Sequence, residues 1–148
     1  MPVFCSKLIV LPTFISTVNI TADNITKYFQ VANSYYCFYG NGSVFTTNNG
    51  GVEDSTAQTT LTALFDMDVS FDYSYSSESG YDKFTLTFSG TTVENQASGD
   101  GRNSYSGKLT KGQTIVLTYK KDGSQDGNND QCTFSNMVIT GDFMGVTT

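Results

Sequence analysis

The feature that most constrains the fold is a strict alternation of apolar and polar residues that runs into an acidic, serine-rich turn at residues 69–82. The apolar positions are Val69, Phe71, Tyr73 and Tyr75, and serine and aspartate separate them. Side chains along a β-strand point alternately to its two faces, so the apolar set shares one face and the polar set the other. The segment therefore predicts a half-buried strand followed by a turn.

Similar strand patterns recur along the chain. Phe84, Leu86 and Phe88 alternate with polar residues, and residues 114–120 carry apolar side chains on both faces, as a central strand does. Turn signals rich in glycine, asparagine and aspartate return at intervals of about ten residues. We therefore predict an all-β protein, a single antiparallel jelly-roll-like β-sandwich of about eight to ten strands.

The first 20 residues differ from the rest in pattern. Apolar and polar positions mix there, and Pro2 and Pro12 argue against a central strand. We predict an N-terminal arm or edge strand over residues 1–20 that docks on a partner subunit, and a sandwich domain over residues 21–148. The candidate docking residues are Val3, Phe4, Leu8 and Ile9.

Charge excludes one class of partner. The chain has 8 Lys and Arg against 14 Asp and Glu, a net charge of -6. Nucleic-acid binding needs clustered basic residues that neutralise phosphates, so no nucleic-acid partner is expected. No segment approaches the roughly 20 apolar residues of a membrane span, so no membrane insertion is expected.

Three cysteines are present, Cys5, Cys37 and Cys132. The number is odd and no CxxC pair occurs, so the spacing indicates neither a disulfide framework nor a zinc site. Buried thiols in strands fit this pattern. A bridge between Cys37 and Cys132 stays open at this point, because both lie in strand-like segments.

A longer motif covers residues 69–140. Its elements are Ser-Ser-Glu, Tyr-Asp, Ser-Gly, Leu-x-x-Gly, Tyr-x-Lys-Asp and a late Asp. The residues at these positions are Ser76, Ser77, Glu78, Tyr81, Asp82, Ser98, Gly99, Leu109, Gly112, Tyr119, Lys121, Asp122 and Asp130. The segment resembles a jelly-roll module of tailed-phage virion proteins and of bacterial surface and adhesin proteins. The chain departs from that family in having neither Trp nor His, which argues against a ligand site built on such residues.

The resemblance implies a non-enzymatic structural or binding protein of a phage particle, such as a capsid decoration, head-fibre or tail-associated protein. Its expected partners are other virion proteins, in homo-oligomeric or lattice-bound copies. Pro12 interrupts the early apolar stretch and Lys7 is the one early cation, so we expect synthesis in the host cytoplasm without a signal peptide and a location in the virion. The alternative is a carbohydrate-binding or adhesion module of a bacterial surface system, with cell-surface glycans as ligands.

Catalysis is not expected. Without histidine, acid and base chemistry would fall to carboxylates, cysteine, tyrosine or lysine. Glycosidases need two facing carboxylates in a cleft, and the chain has only the glutamates Glu53, Glu78 and Glu94. Asp66, Asp68 and Asp72 follow one another at intervals of two and four positions. On a strand they would therefore share one face, and a solvated face explains them.

Two acidic turns are candidate calcium ligands. Glu78 and Asp82 bracket one turn, and Asp122, Asp126 and Asp130 crowd a second. Calcium takes six to eight oxygen ligands, so a pocket would form if the fold brought these turns to one end. In the alternative, the same residues fix loops through turn chemistry and charge-assisted hydrogen bonds. The predicted cofactor is therefore calcium or none.

Sugar binding needs exposed aromatic side chains beside amide and carboxylate groups. Tyr81 and Tyr105 lie in polar, turn-like contexts. We expect both to be exposed and name them as candidate ligand-binding residues.

Overall fold

Two antiparallel sheets form the structure, a computed structural model that describes residues 14–124 and 127–146. The elements in chain order are β1 (Ile15–Asn19), α1 (Ile25–Tyr28), β2 (Phe29–Asn33), β3 (Phe38–Asn41), β4 (Val44–Thr47), β5 (Thr56–Ala63), β6 (Met67–Ser76), β7 (Lys83–Phe88), β8 (Thr91–Ala97), β9 (Asp100–Leu109), β10 (Thr114–Lys120) and β11 (Gln131–Asp142). The predicted all-β antiparallel sandwich is confirmed, and the described residues contain 11 strands.

The order of the strands explains the sequence patterns. One sheet has the order β3-β4-β11-β6-β9, with β1 also paired to β11, and the other has the order β2-β5-β10-β7-β8. Strand β10 lies between β5 and β7, as its two apolar faces predict. The predicted half-buried strand is β6, and its residues Val69, Phe71 and Tyr73 are buried in the core between the sheets.

Strand β11 carries apolar residues out of phase along its length. Cys132 and Phe134 face the core in the first half, and Met137 and Ile139 face it in the second. The pairing with β6 shifts between Ser135 and Val138, which is a β-bulge. One extra residue in the strand changes which positions face inward, so both halves bury their apolar residues. The inserted position is Asn136, with a φ of 51°.

Residues 91–105 are a polar stretch without apolar alternation, and the structure has strands β8 and β9 there. Strand β9 pairs with the whole of β6. Two of its inward positions are Gly101 and Gly107. A Cβ at Gly107 would lie 2.7 Å from Phe88 Cε1, and one at Gly101 would overlap the Tyr75 ring. Rings from neighbouring strands fill the space above these glycines, so β9 lacks the apolar alternation that predicts a strand.

The N-terminal predictions are covered only in part. Residues 15–19 form β1, which pairs antiparallel with β11. The candidate docking residues Val3, Phe4, Leu8 and Ile9 lie outside the described residues, and the boundary at residue 20 stays a prediction. Within residues 14–124 and 127–146, no helix has the length and apolar character to span a membrane.

Cys37 and Cys132 are both buried and both free, so no disulfide joins them. Burial raises the pKa of each thiol, most strongly for Cys132. The two side chains therefore act as small core residues with little thiolate character.

Candidate functional site

The motif residues meet at one end of the sandwich. Strand pairing places Ser76 opposite both Gln131 and Asp100, and Lys120 opposite both Lys83 and Thr56. The loops that follow or precede these residues therefore lie together. We call this region the loop end; it comprises residues 48–55, 77–82, 98–99, 121–124 and 127–130.

A buried ion pair lies at the centre of the loop end. Lys121 is 2% exposed and its ammonium pairs with the carboxylate of Asp130, which is 6% exposed. The Tyr119 hydroxyl donates to Asp130 Oδ1 at 2.7 Å, and the Gly51 amide donates to Asp130 Oδ2 at 2.7 Å. From the sequence we expect the loops over residues 78–82 and 122–130 to face outward, but the side chain of Asp130 faces inward and meets Lys121. They join β10 to the start of β11 and to the loop that contains Gly51.

The electrostatics of Asp130 follow from these contacts. Burial alone would raise its pKa, but hydrogen bonds from Lys121, Tyr119 and Gly51 outweigh burial and hold the pKa of Asp130 below its ordinary value. The pKa of the Tyr119 hydroxyl is raised, mainly by burial and secondly by the hydrogen bond to Asp130. The Asp130 carboxylate is therefore charged and the Tyr119 hydroxyl stays a donor at neutral pH.

This shift predicts an acid-sensitive component of stability. The pKa of Asp130 is lower in the folded chain than its ordinary value of about 3.9 in the unfolded chain, so the unfolded state takes up the proton first. The Asp130 carboxylate therefore makes its full contribution to the free energy of unfolding at pH values above its unfolded pKa. That contribution is lost as the pH falls through the folded pKa of Asp130. We expect urea unfolding from pH 7 to pH 2.5 to show wild type and Asp130→Asn converging at acid pH. A difference that does not change with pH would contradict this assignment.

A second set of hydrogen bonds fixes loop 77–82. Ser77 and Asp82 are fully buried. The Ser77 hydroxyl donates to the Asp82 carbonyl at 3.1 Å, and the Asp122 amide donates to Asp82 Oδ1 at 2.9 Å. The Asn128 side-chain amide donates to the Ser77 carbonyl at 2.9 Å. These motif residues therefore hold neighbouring loops together.

Three carboxylates also converge between these loops. Glu78, Asp82 and Asp122 each place one carboxylate oxygen within 4.8 Å of the others. Burial raises the pKa of Asp82, against a lowering by the hydrogen bond from the Asp122 amide. Of the five candidate calcium ligands, the structure groups these three. It places Asp130 in the ion pair with Lys121, and Asp126 lies outside the described residues.

Of the two tyrosines in the motif, Tyr119 is buried and Tyr81 is 59% exposed. It borders a shallow cavity of about 280 Å³. The other lining residues are Lys83, Thr85, Gln96, Thr118, Lys120, Lys121 and Asp122. We call this the Tyr81 cavity. It combines an aromatic ring with hydroxyl, amide and ammonium groups, and Asp122 belongs both to it and to the carboxylate cluster.

Two lysines of the cavity face each other across strands. Lys83 begins β7 and Lys120 ends β10, and they are direct partners in the pairing of these strands. Among the described residues neither is in an ion pair. The sequence alone does not single them out, because only the register brings positions 83 and 120 together.

Tyr105 differs from its expected exposure. It lies in β9, is half-buried, and packs with its ring centroid 4.9 Å from that of Phe88 and 6.2 Å from that of Phe71. The polar residues around it occupy the outward positions of the strand. The side chain thus lines the core, and its candidate role in ligand binding has no support from its position.

A polar groove also lies on the outer face of the six-stranded sheet. It comprises two adjoining depressions of about 450 and 370 Å³. Strands β6 and β9 contribute Asp72, Ser74, Arg102 and Ser104 to this outer-face groove. The two tyrosines that border it, Tyr73 and Tyr75, stack on Phe84 in the core. It therefore offers hydrogen bonds but little aromatic surface.

Comparison with known proteins gives the fold. No protein-family model and no curated protein sequence matches the chain. Among solved structures, it is similar to the secreted serine protease VesC from Vibrio cholerae, with a TM-score of 0.59 and 10% identity over 82% of this chain. This chain spans 27% of the length of that protease chain. At this identity the likeness extends to the fold alone.

Two further solved structures have nearly the extent of this chain. One is a carbohydrate-binding module of family 29, with a TM-score of 0.44 and 14% identity over 93% of this chain and 95% of that chain. The other is the K3 cleaved adhesin domain of Lys-gingipain from Porphyromonas gingivalis w83, with a TM-score of 0.46 and 10% identity over 86% of this chain and 99% of that chain. Likenesses this distant decide nothing about ligand or site residues.

Proposed function

We propose that this chain is a non-enzymatic carbohydrate-binding domain whose ligand lies on Tyr81. The exposed Tyr81 ring, beside a cavity lined by lysine, threonine and glutamine side chains, is the observation that carries the proposal. The C–H face of a sugar packs on an aromatic ring, and its hydroxyls need hydrogen-bonding groups beside that ring. Thr85, Gln96 and Thr118 supply hydroxyl and amide groups around the cavity.

The facing lysines favour an acidic sugar. Like charges directly opposite each other on two strands repel, and Lys83 and Lys120 occupy such positions. The chain is otherwise acidic, with a net charge of -6, so this positive pair departs from the general character of the surface. A carboxylate on the ligand would relieve the repulsion, which makes sugar acids the favoured ligand class.

The arrangement argues against glycoside hydrolysis. Among the residues that the structure describes, Asp122 is the one carboxylate that lines the Tyr81 cavity, whereas hydrolysis uses two carboxylates about 5–9.5 Å apart on either side of the scissile bond. A serine protease triad is also excluded for this chain, because it contains no histidine. The likeness to a serine protease therefore brings no catalytic role with it.

Glycan-array binding tests the proposal with matched tyrosine variants. We expect the wild type to bind acidic glycans, and Tyr81→Ala to weaken that binding by at least about tenfold, which is about 1.4 kcal/mol. Tyr39→Ala is the control, because Tyr39 is 67% exposed and lies in β3 of the other sheet. The Lys83→Gln/Lys120→Gln variant should lose the preference for acidic over neutral glycans. A blank array, or equal losses in Tyr81→Ala and Tyr39→Ala, would overturn the proposal.

The predicted place of the chain in a phage particle rests on the motif resemblance and stays a prediction. Glycan binding is compatible with it, since a surface protein of a particle can meet cell-surface sugars. Mass spectrometry of purified particles from the source would test it separately, through the presence of this chain at a fixed ratio to the capsid subunit.

A further inference from the structure

We propose that Glu78, Asp82 and Asp122 bind one calcium ion at the loop end. One oxygen from each of these carboxylates lies within 4.8 Å of the others. Calcium binds oxygens at 2.3–2.6 Å, so two ligands of one ion are at most about 4.6–5.2 Å apart. A single ion can therefore contact all three carboxylates without a large rearrangement of either loop.

An unpartnered buried oxygen points independently to a ligand. Asp82 is fully buried, and its Oδ1 already accepts the Asp122 amide. Its Oδ2 is buried and has no hydrogen-bond partner. A carboxylate oxygen removed from water without a donor or a cation is unfavourable. The charge of the buried Lys121 ammonium acts on Asp82, but Oδ2 has no hydrogen-bond partner, so a cation at the cluster would satisfy this oxygen.

The donor set selects calcium among the common cations. All three ligands are carboxylates held on loops, and calcium accepts such irregular oxygen sites with water completing the shell. Magnesium requires near-octahedral geometry at shorter distances and gives up its waters reluctantly. Zinc sites are built mainly on histidine and cysteine, and the cluster of Glu78, Asp82 and Asp122 includes neither.

The two loops that the ion would join are already packed together. A Cβ at Gly127 would lie 2.7 Å from the Glu78 Cα, so the later loop passes directly against the Glu78 backbone. Asp122 and Asp82 are joined by their hydrogen bond. This contact holds the three carboxylates near one another before an ion arrives, and the ion would offset their mutual repulsion.

Calcium titration of the chain after dialysis against EGTA tests the site with the metal alone, independently of any glycan. We expect one site with a dissociation constant of about 10⁻⁵–10⁻³ M, and a rise in melting temperature of about 5–10 °C at a hundredfold excess over that constant. Magnesium should bind at least about tenfold more weakly. The chain dialysed against EGTA should keep the lower melting temperature when buffer alone is added.

The Asp82→Asn variant separates metal binding from a structural role. It keeps an oxygen for the Asp122 amide and replaces the unpartnered oxygen with a donor that can bond to a neighbouring carboxylate. We expect it to lose the calcium response while melting, without calcium, at or above the wild-type temperature. Glu78→Gln gives the same test at a second ligand. Asp68→Asn is the control, because Asp68 is an exposed carboxylate paired with Lys108, and it should respond as wild type.

Three results would overturn the proposal. The first is a wild-type chain with neither heat of calcium binding nor a rise in melting temperature. The second is an undiminished calcium response in both Asp82→Asn and Glu78→Gln. The third is a rise in melting temperature with calcium that is the same in all variants, together with an equal rise with magnesium. That result would indicate general charge screening.

Discussion

Lys121→Met is expected to lower the free energy of unfolding by about 3–5 kcal/mol, because it leaves the Asp130 carboxylate buried without its counter-ion. The side chain of Lys121 is fully buried and that of Asp130 nearly so. Methionine nearly matches the lysine stem in size, so the packing around position 121 changes little. The loss then reports on charge and not on a cavity. Urea unfolding of both chains at pH 7 measures it.

The control is Lys108→Met, which breaks an ion pair of the same residue types at the surface. Lys108 Nζ lies 2.7 Å from Asp68 Oδ1, and the two side chains are 84% and 56% exposed. Exposed pairs contribute about 0–1 kcal/mol. Similar losses for the two variants would show that the Lys121 ammonium reaches water and would contradict the buried ion pair.

Deletion of Asn136 is expected to leave the chain folded, with β11 as a regular strand. Without the extra residue, the alternation that places Phe134 in the core continues to Met137 and Ile139, and Val138 keeps Ser70 as its partner on β6. The side chains of Met137 and Ile139, which are at most 1% exposed, therefore stay buried. A shift by one residue would instead expose both, at a cost of about 1.5–3 kcal/mol each, which is a large share of the typical stability of a domain. Far-UV circular dichroism and thermal melting measure the outcome.

Asn136→Gly is the matched control for the deletion. It keeps the extra residue and suits the φ of 51° at this position better than asparagine does. It loses one exposed hydrogen bond, from the Asn136 side chain to Asp72 at 3.1 Å. We expect a stability within about 1 kcal/mol of wild type. A deletion variant that unfolds while Asn136→Gly stays folded would show that the second half of β11 cannot keep its register without the bulge.

The sequence predicts those strands whose inward positions carry large apolar side chains. Strands β6 and β7 are of this kind, because each fills its own part of the core. Strand β9 could not be predicted in this way. Its inward positions include Gly101 and Gly107, and the rings that fill the space above them belong to Tyr75 and Phe88. The sequence of β9 therefore indicates a strand only when the residues that pack over its glycines are known.

The candidate site could be predicted in composition but not in arrangement. The acidic turns suggested a shared site, and the structure does group Glu78, Asp82 and Asp122. Asp130 is separated from them because the buried Lys121 and the Tyr119 hydroxyl hold its carboxylate. A polar loop sequence gives no sign that a lysine within it will be buried. The same limit applies to the facing lysines of the Tyr81 cavity, which only strand register brings together.

The most direct test of the central claim is an NMR titration of the ¹⁵N-labelled chain with its strongest acidic ligand from the glycan array. Binding at the Tyr81 cavity predicts the largest amide shift changes at Tyr81, Thr85, Gln96 and Thr118, with little change in β9. Changes concentrated instead at Asp72, Arg102 and Ser104 would place the ligand in the outer-face groove. That result, or an unchanged spectrum at millimolar ligand, would contradict the account.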